Sequence, residues 1–313
     1  MRFKLRNGIN SRGTVVIFVL FVIAFASSVI INLSERSVNS YEEVNDVYLM
    51  NQAYIYGKTA IKIVKNLIED DDFKEDSRDD DWFNIPMYPL QKGYISIKIT
   101  PLNSKININD INSSNDNISK RTATSWDRLM EEYEFDDTDT TSDLLKDWID
   151  NDTKISPTGI ELERYDYLGN TYQTKNEKFS TLTELMLINK ELYPKMKNHF
   201  TVVAENKQLN INFVSENTLK YYLPELEFYA EEIIDYREFN DYTDISQIRK
   251  AAPIPDELYV KMVPFLTVKS SNFYIKINVH LSEKDFYYHA LLKRNQNNAK
   301  VTAFFKGTNK DYF

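Results

Sequence analysis

The sequence predicts an α+β fold in which a long N-terminal helix precedes a small antiparallel sheet, and an inserted all-α domain interrupts that sheet. Three observations support this prediction. Helical periodicity extends well beyond an N-terminal apolar run, strand-like alternation occurs both before residue 115 and after residue 265, and the residues between them have helical spacing. Strand character at both ends of a helical block is expected when the block is inserted into a sheet domain.

An uncharged run at residues 13–34 follows a basic segment that contains Arg2, Lys4, Arg6 and Arg12. The run reaches the roughly 20 residues that span the hydrocarbon core of a bilayer. The basic flank predicts a cytoplasmic N-terminus and a body on the opposite side of the membrane. Three fates are open for the run: removal as a signal peptide, retention as an uncleaved anchor, or retention after a leader is cut off at the glycine that begins it.

The residues after the run favour its retention. Between Leu33 and Ile68 there is no proline, and Gly57 is the only glycine. Apolar residues recur at helical spacing over this range, so we expect one helix of roughly 50 residues, about 75 Å long. Ala-Phe-Ala at 24–26 would be an acceptable cleavage site for signal peptidase. However, the mature protein after a cleaved signal peptide normally starts independently, and it does not normally continue the helix of the apolar region in phase.

The predicted sheet is built from segments on both sides of the helical block. The acidic run Asp70–Trp82 is predicted to end the long helix as a solvated loop. Alternating apolar and polar residues predict strands at Tyr94–Thr100 and Lys105–Asp110, and again at Phe273–His280 and Lys300–Lys306.

The helical block extends from residue 126 to about residue 264. The polar stretch Asn112–Ser125 before it is predicted to be a linker. Within the block, Ser180 or Thr181 followed by Glu184 has the residue types of a helix-capping box.

Composition argues against an enzyme and against a nucleic-acid partner. The chain has no cysteine, three widely spaced histidines and seven glycines, without a glycine-rich phosphate loop. Thiolate chemistry is excluded, and histidine metal sites and Ser-His-Asp arrangements have no support. The net charge is −9, and the chain after its basic leader is more acidic still, which disfavours binding to a phosphate backbone.

One acidic segment has the residue types of a calcium site. Asp147, Asp150 and Asp152 alternate around a helix end, and Gly159 and Glu161 follow. Ca²⁺ requires such carboxylate oxygens, although the spacing differs from that of an EF-hand. An acidic solvated loop is the alternative, and composition alone favours it.

A helix-hairpin-helix unit is predicted within Leu209–Lys250. Such units bind DNA when a glycine hairpin presents its amides to phosphate, but this hairpin reads Leu-Pro-Glu-Leu at 223–226. Because Glu225 and its acidic neighbours repel phosphate, we interpret the unit as a scaffold. The alternative function is a membrane-anchored helix-hairpin-helix protein that binds DNA in competence-type uptake.

The basic leader that ends at Gly13, together with the motifs DWIDND…GIE…Y, STLTELMLI, LNIN…NTLKYYLPEL and SSNFYIKINV, resembles the K-type minor pseudopilins of type II secretion systems, the general secretion pathway protein K family. The resemblance implies a pilin-like α/β body that is interrupted by a helical domain with helix-hairpin-helix or SAM-like units. It also implies a structural protein without catalysis, with calcium bound by Asp147, Asp150, Asp152 and Glu161.

The resemblance further implies a biogenesis and a location. Prepilin peptidase would cut between Gly13 and Thr14, and the protein would stay in the bacterial inner membrane as a single-pass protein, with its body in the periplasm. It would then move to the tip of the pseudopilus together with the I- and J-type minor pseudopilins. Phe18 stands fifth after the cut, where most pilin-like subunits carry glutamate, and this absence is expected of a tip subunit because no subunit lies ahead of it to offset the charge.

The resemblance and the patterns together predict six segments. They are a leader at 1–13, a transmembrane part of the helix at 14–34, the rest of the helix at 35–69, the first part of the pilin-like domain at 70–115, the inserted helical domain at 116–264, and closing strands at 265–313.

Overall fold

The structure, a computed structural model, describes residues 11–135, 141–152, 154–157, 159, 174–203, 207–296 and 298–313, and for residues 11–17 it describes the backbone alone. The chain divides into two compact units, residues 1–55 and 56–313. We describe each unit by itself.

Helix α1, Ser11–Asp70, forms the described part of the first unit and continues into the second. Its apolar side chains near the N-terminus are largely exposed, with Phe18 at 66%, Phe21 at 69% and Ile30 at 66%. By length and composition the helix is able to cross a membrane, and it fits a single-pass anchor. The predicted long, uninterrupted N-terminal helix is therefore confirmed over the described residues.

The second unit contains a five-stranded antiparallel sheet in the order β1-β2-β7-β8-β9. Strand β2 pairs with β7, which places Ile97 opposite Ile277. This pairing joins the segments before and after the intervening chain in one sheet. The predicted antiparallel sheet, interrupted between its early and late strands, is confirmed. The strands are β1 Tyr88–Leu90, β2 Gly93–Pro101, β3 Ile106–Asn107, β4 Phe200–Thr201, β5 Leu209–Asn210, β6 Leu266–Thr267, β7 Asn272–Leu281, β8 Lys284–Asn295 and β9 Asn298–Gly307.

Within this unit, the last turns of α1 pack on the sheet. A Cβ at Gly57 would lie 2.8 Å from the ring of Tyr288, so the glycine permits a close approach between helix and strand. Glu69, further along the helix, accepts a hydrogen bond of 2.9 Å from the backbone N–H of Ala299. The apolar residues of α1 at helical spacing, Ala60, Ile61, Val64 and Ile68, are buried, as are Ile275, Ile277 and Val279 of β7.

The region between β2 and β7 is mostly helical, with a core that includes Trp126, Trp148, Phe200, Leu219 and Tyr242. Its α-helices are α2 Asp116–Glu132, α3 Ser142–Ile149, α4 Leu185–Ile188, α5 Leu192–Met196, α6 Glu216–Tyr222, α7 Ala230–Tyr236, α8 Ile248–Ala251 and α9 Asp256–Met262. Its 3-10 helices are Leu102–Ser104, Ile108–Asn112, Leu182–Glu184, Pro224–Tyr229, Ile245–Gln247 and Val263–Phe265.

The prediction of a purely helical insertion is wrong in one respect, because β4 and β5 lie within residues 116–264. Each forms a short parallel pair, β4 with β3 and β5 with β6. These pairs satisfy backbone groups where the chain leaves the sheet domain and returns to it, and such groups are otherwise costly to bury.

Two further predictions for the start of this region are corrected. Only Ile106–Asn107 of the predicted strand at 105–110 forms a paired strand, because the Asn107 side chain accepts from the N–H of Asn109 and starts a 3-10 turn. The predicted linker at 112–125 contains most of a helix, since Asn115 caps α2 by accepting from the N–H of Asn117.

The long helix ends at Asp70 as predicted, but the acidic run at 70–82 is only partly the solvated loop that its composition predicted. Asp76 and Trp82 are fully buried, and the guanidinium of Arg294 on β8 forms ion pairs with both Asp76 and Asp71. The indole N–H of Trp82 donates to Asp71 at 3.1 Å. The backbone N–H of Ser270 donates to Asp76. The run is therefore anchored by partners that lie about two hundred residues away in sequence.

Candidate functional site

The predicted calcium residues lie at the end of α3. Leu144, Leu145 and Trp148 are buried and hold one face of the helix against the core, where Trp148 stacks on Phe179 at 6.2 Å. This orientation also buries Asp147, which is 0% exposed. A carboxylate placed in a core by its helix needs compensating partners.

The loop after α3 folds back over Asp147. The backbone N–H of Ser156 donates to both carboxylate oxygens of Asp147, at 3.3 and 3.2 Å. A Cβ at Gly159 would lie 2.0 Å from Oδ2 of the same carboxylate. Glycine is therefore needed for the loop to pass this close to Asp147.

Two buried oxygens beside this loop accept no hydrogen bond from the described residues. They are Oδ1 of Asp150, the C-cap of α3, and Oδ1 of Asn176. Asn176 belongs to the same neighbourhood, because its backbone N–H donates to the carbonyl of Trp148 at 3.0 Å. A buried acceptor without a donor costs about 1–3 kcal/mol, and a cation would offset that cost for both oxygens.

The electrostatics of the loop also favour a cation. Burial raises the pKa of Asp150, and the negative charges of Asp152 and Asp147 raise it further. A divalent cation would relieve this repulsion, and the carboxylate and amide oxygens are ligands that suit Ca²⁺. The residue types therefore suit a calcium ion, but Asp147, Asp150 and Asp152 do not bring three ligand oxygens within 4.8 Å of one another in the described part of the chain.

The four predicted ligands have different outcomes. Asp147 and Asp150 lie together at the helix end, whereas Asp152 is exposed and accepts from the N–H of Lys154 at 2.7 Å. Glu161 lies outside the described residues. Asn176 was not predicted, because no local spacing connects it to the acidic segment; its left-handed backbone, with φ of 52°, becomes visible only in the fold.

The predicted cleavage residues, Gly13 and Thr14, lie in the backbone of α1, and residues 1–10 are outside the described part of the chain. No observation tests the cut between them, so it stays a prediction.

A second group of carboxylates has a cation of its own. Oxygens of Asp71, Asp76 and Asp80 lie within 4.8 Å of one another. The Arg294 guanidinium, whose side chain is fully buried, contacts two of them. Burial raises the pKa of Asp76 to about 6, although Arg294 and the Ser270 N–H oppose the shift.

Glu225, the acidic residue of the helix hairpin, forms ion pairs within the protein. Arg121 donates two hydrogen bonds to Glu225, at 3.0 and 2.8 Å, and Lys261 lies 3.2 Å away. The hydrogen bonds from Arg121 lower the pKa of Glu225 to about 2, even though partial burial opposes the shift. This arrangement supports the scaffold interpretation of the hairpin.

Comparisons with known proteins point to one family. Residues 104–205 match the family model described as type II secretion system (T2SS), protein K. Over 303 residues the chain is 23% identical to the type II secretion system protein K of Pectobacterium carotovorum subsp. carotovorum, and the match covers 90% of this chain and 92% of that protein.

Among solved structures, the chain is similar to one in the crystal structure of the GspK-GspI-GspJ complex from the type 2 secretion system of enterotoxigenic Escherichia coli. The TM-score is 0.70 and the identity 18%, with 85% of this chain and 99% of that chain covered. At this identity the likeness shows a shared fold. The family match, the curated relative and the fold all support the resemblance that the sequence motifs indicated, which is to the K-type minor pseudopilins of type II secretion systems.

Proposed function

We propose that this protein is a minor pseudopilin that caps the tip of the pseudopilus and initiates its assembly. The observation that carries the proposal is the exposed apolar surface of α1, whose side chains from Phe18 onward contact nothing in the first unit over much of their area. In lipid this surface is satisfied by acyl chains, and in a fibre it would pack against the apolar helices of the subunits below. Phe18 at the fifth mature position suits a subunit with none ahead of it.

The helix would enter the membrane with its basic end in the cytoplasm and leave the second unit in the periplasm. Prepilin peptidase would cut between Gly13 and Thr14, and the new N-terminus would begin directly with the apolar helix. Export of other proteins across the outer membrane would then depend on the fibre, and no catalytic step is assigned to this chain.

The partners are proposed to be the I- and J-type minor pseudopilins. Support comes from the similar solved structure, which is a complex of GspK with GspI and GspJ. Co-expression of the full chain with both proteins in membranes, followed by affinity purification in detergent, should recover all three in fixed proportion. Recovery of this chain alone would contradict the proposed assembly.

A calcium ion is proposed to bind at the end of α3. Asp147, Asp150 and Asn176 would supply oxygens, with Asp152 and Glu161 as further candidates. Bound calcium would supply positive charge that neutralises these carboxylates and joins the loop to the helix, which is a structural role rather than a chemical one.

The leader provides a direct test of the proposed function, with a matched control in the same segment. Gly13→Leu should block cleavage, leave a slower-migrating protein on an immunoblot, and reduce secretion in a strain that lacks the native gene. Gly8→Leu changes another leader glycine and should be processed normally, with Thr14 at the mature N-terminus. Normal mobility and normal secretion with Gly13→Leu would contradict the proposal, and a mature N-terminus at Ser27 would indicate signal peptidase instead.

A further inference from the structure

A cavity of about 370 Å³ lies between the sheet and the interrupting region of the second unit. It is bordered by β2 through Lys98, by β7 through Tyr274, and by the segment before β3 through Lys105. Arg78 and Phe213 complete two of its sides. Its volume falls within the range of roughly 300–1,000 Å³ that is typical of ligand pockets.

The charges that line this cavity are mainly positive, in a chain whose net charge is −9. Arg78, Lys98 and Lys105 come from three different segments, and Asp311 is the one carboxylate among the described lining residues. The carboxylate of Asp311 is already paired, because Lys276 lies 3.0 Å from it. Positive charge is therefore in surplus here.

Strand register adds to this surplus. Lys98 on β2 lies directly opposite Lys276 on β7, and like charges that face each other across a strand pair are destabilising. The side chain of Lys98 makes no hydrogen bond and no ion pair with the described residues, and its charge acts at longer range on Asp311, which Lys276 already pairs. An anionic ligand would give this lysine a direct partner.

Lys105 is the second lysine of the lining, and it forms no ion pair with an aspartate or glutamate among the described residues. Its ammonium donates to the backbone oxygens of Lys197, at 2.7 Å, and of Phe313, at 3.3 Å. Burial lowers its pKa to about 8; the Asp311 carboxylate opposes this shift, while the charges of Lys98 and Lys197 add to it. An anion in the cavity would offset both the burial and the repulsion.

The apolar lining narrows the class of ligand. Phe83, Ile99, Pro101 and Phe213 line the cavity beside the cations. The guanidinium of Arg78 forms an ion pair with Glu238 at 2.9 Å and donates a hydrogen bond to the carbonyl of Asn212. The two lysines are therefore the cations that would bind a ligand. One carboxylate has two oxygens, one for each lysine of this pair, and an attached apolar group would cover the hydrophobic walls, which a free inorganic anion would leave exposed to water.

We propose that this cavity binds a carboxylate attached to an apolar group, as an acidic residue beside an aromatic or aliphatic residue in a peptide segment of another protein provides. The site lies wholly within residues 56–313 and does not depend on the tip position, on the leader or on calcium.

The test uses the full chain in detergent micelles and isothermal titration with two blocked dipeptides. N-acetyl-aspartyl-phenylalanine amide carries the carboxylate and the apolar group, and N-acetyl-asparaginyl-phenylalanine amide is its neutral match. The aspartyl peptide should bind roughly tenfold more tightly, since a hydrogen bond to a charged group contributes about 1.5–3 kcal/mol. Lys98→Gln should remove most of that difference, whereas Lys250→Gln, which neutralises an exposed lysine on α8, should leave it unchanged.

Equal affinity for the two peptides would overturn the proposal, as would an unchanged preference in Lys98→Gln. Inorganic phosphate, titrated in parallel, should bind more weakly than the aspartyl peptide, and equal or tighter binding would overturn the proposed ligand class. Lys105→Met offers a second variant with the same expected loss. If it fails to fold, the exposed Lys98 still decides the outcome.

Discussion

Two acidic segments of this molecule look alike in sequence and differ in how their charge is compensated. Residues 70–82 and 147–152 both begin in the last turn of a helix, and in both composition alone favours a solvated loop. In the first segment, Asp71 and Asp76 form ion pairs with the guanidinium of Arg294, which lies on a strand far away in sequence. In the second, Asp150 and Asn176 keep buried oxygens without a donor among the described residues. Acidic composition thus does not distinguish a segment with an internal counter-ion from one without such a counter-ion among the described residues.

The largest expected effect is the loss of the internal counter-ion. Arg294→Met should lower the free energy of unfolding by about 3–5 kcal/mol, because it leaves a buried charge unpaired. All three tryptophans lie in the second unit, so denaturant unfolding followed by tryptophan fluorescence reports on that unit.

The matched control for this loss is an exposed arginine. Arg249→Met removes a surface ion pair with Asp256 and should cost at most about 1 kcal/mol. Equal losses of unfolding free energy in the two variants would mean that the buried Arg294 ion pairs contribute no more to stability than a surface ion pair. Arg294 would then not be the stabilising counter-ion that distinguishes the first acidic segment from the second.

The next largest expected effect is the pH dependence of the unfolding free energy that is lost in Arg294→Met. Burial raises the pKa of Asp76 to about 6 with Arg294 present, and removal of the guanidinium should raise that pKa further. A raised native pKa means that the folded state binds a proton that the unfolded state releases, so stability is gained as the pH falls and lost as it rises through the native pKa.

The deficit of Arg294→Met should therefore be smaller at about pH 5 than at about pH 8. Unfolding curves of both proteins at the two pH values measure it. A deficit that grows toward acid pH would show that Asp76 is not the group left unpaired.

The second segment should respond to a change in its loop rather than to a change in a distant strand. Gly159→Ala places a methyl group against Asp147 and should weaken calcium binding roughly 10- to 100-fold, as is typical of changes that disturb metal ligands through their surroundings. Ser156→Ala is the matched neighbour, because its backbone N–H still reaches Asp147. Titration calorimetry should show weaker calcium binding for Gly159→Ala than for Ser156→Ala. Equal calcium affinities of the two variants would show that the loop does not take part in calcium binding.

The smallest expected effect concerns the solvated charges of the first segment. Lys74 and Asp72 pair at 2.7 Å with both side chains mostly exposed. Lys74→Met should therefore leave the free energy of unfolding of the protein essentially unchanged, because solvent screens an exposed pair. A loss comparable to that of Arg294→Met would show that the whole segment, and not its buried pair, determines stability.

Local periodicity explains which parts of the fold were predictable. The absence of proline from 33 to 68 predicted the long helix, and the alternation of Phe273, Ile275 and Ile277 predicted β7. Glu184 forms the expected capping box, accepting from the backbone N–H of Thr181 at 2.9 Å. Each of these features depends on neighbours within a few residues, and the sequence displays such neighbours directly.

The features that were missed depend on residues far apart in the chain. Nothing near Asp76 indicates that Arg294 will reach it, and nothing near Asp150 indicates that Asn176 will lie beside Trp148. The short pairs of β3 with β4 and of β5 with β6 are likewise formed by tertiary packing, because two-residue strands have no pattern of their own. The residue types of the second segment led to the prediction of a bound cation, which stays a prediction, and no local pattern indicated Asn176 as a neighbour.

The most direct test of this contrast is the melting temperature of the full chain in detergent, with calcium and with a chelator. If calcium binds at the end of α3, the chelator should lower the melting temperature of the wild type, by an amount equivalent to about 2.7 kcal/mol when calcium is present at one hundred times its dissociation constant. Asp150→Asn should abolish this shift, and Arg294→Met should melt lower but retain it. A wild-type melting temperature that does not change on chelation would contradict the account and make the second acidic segment an ordinary solvated loop.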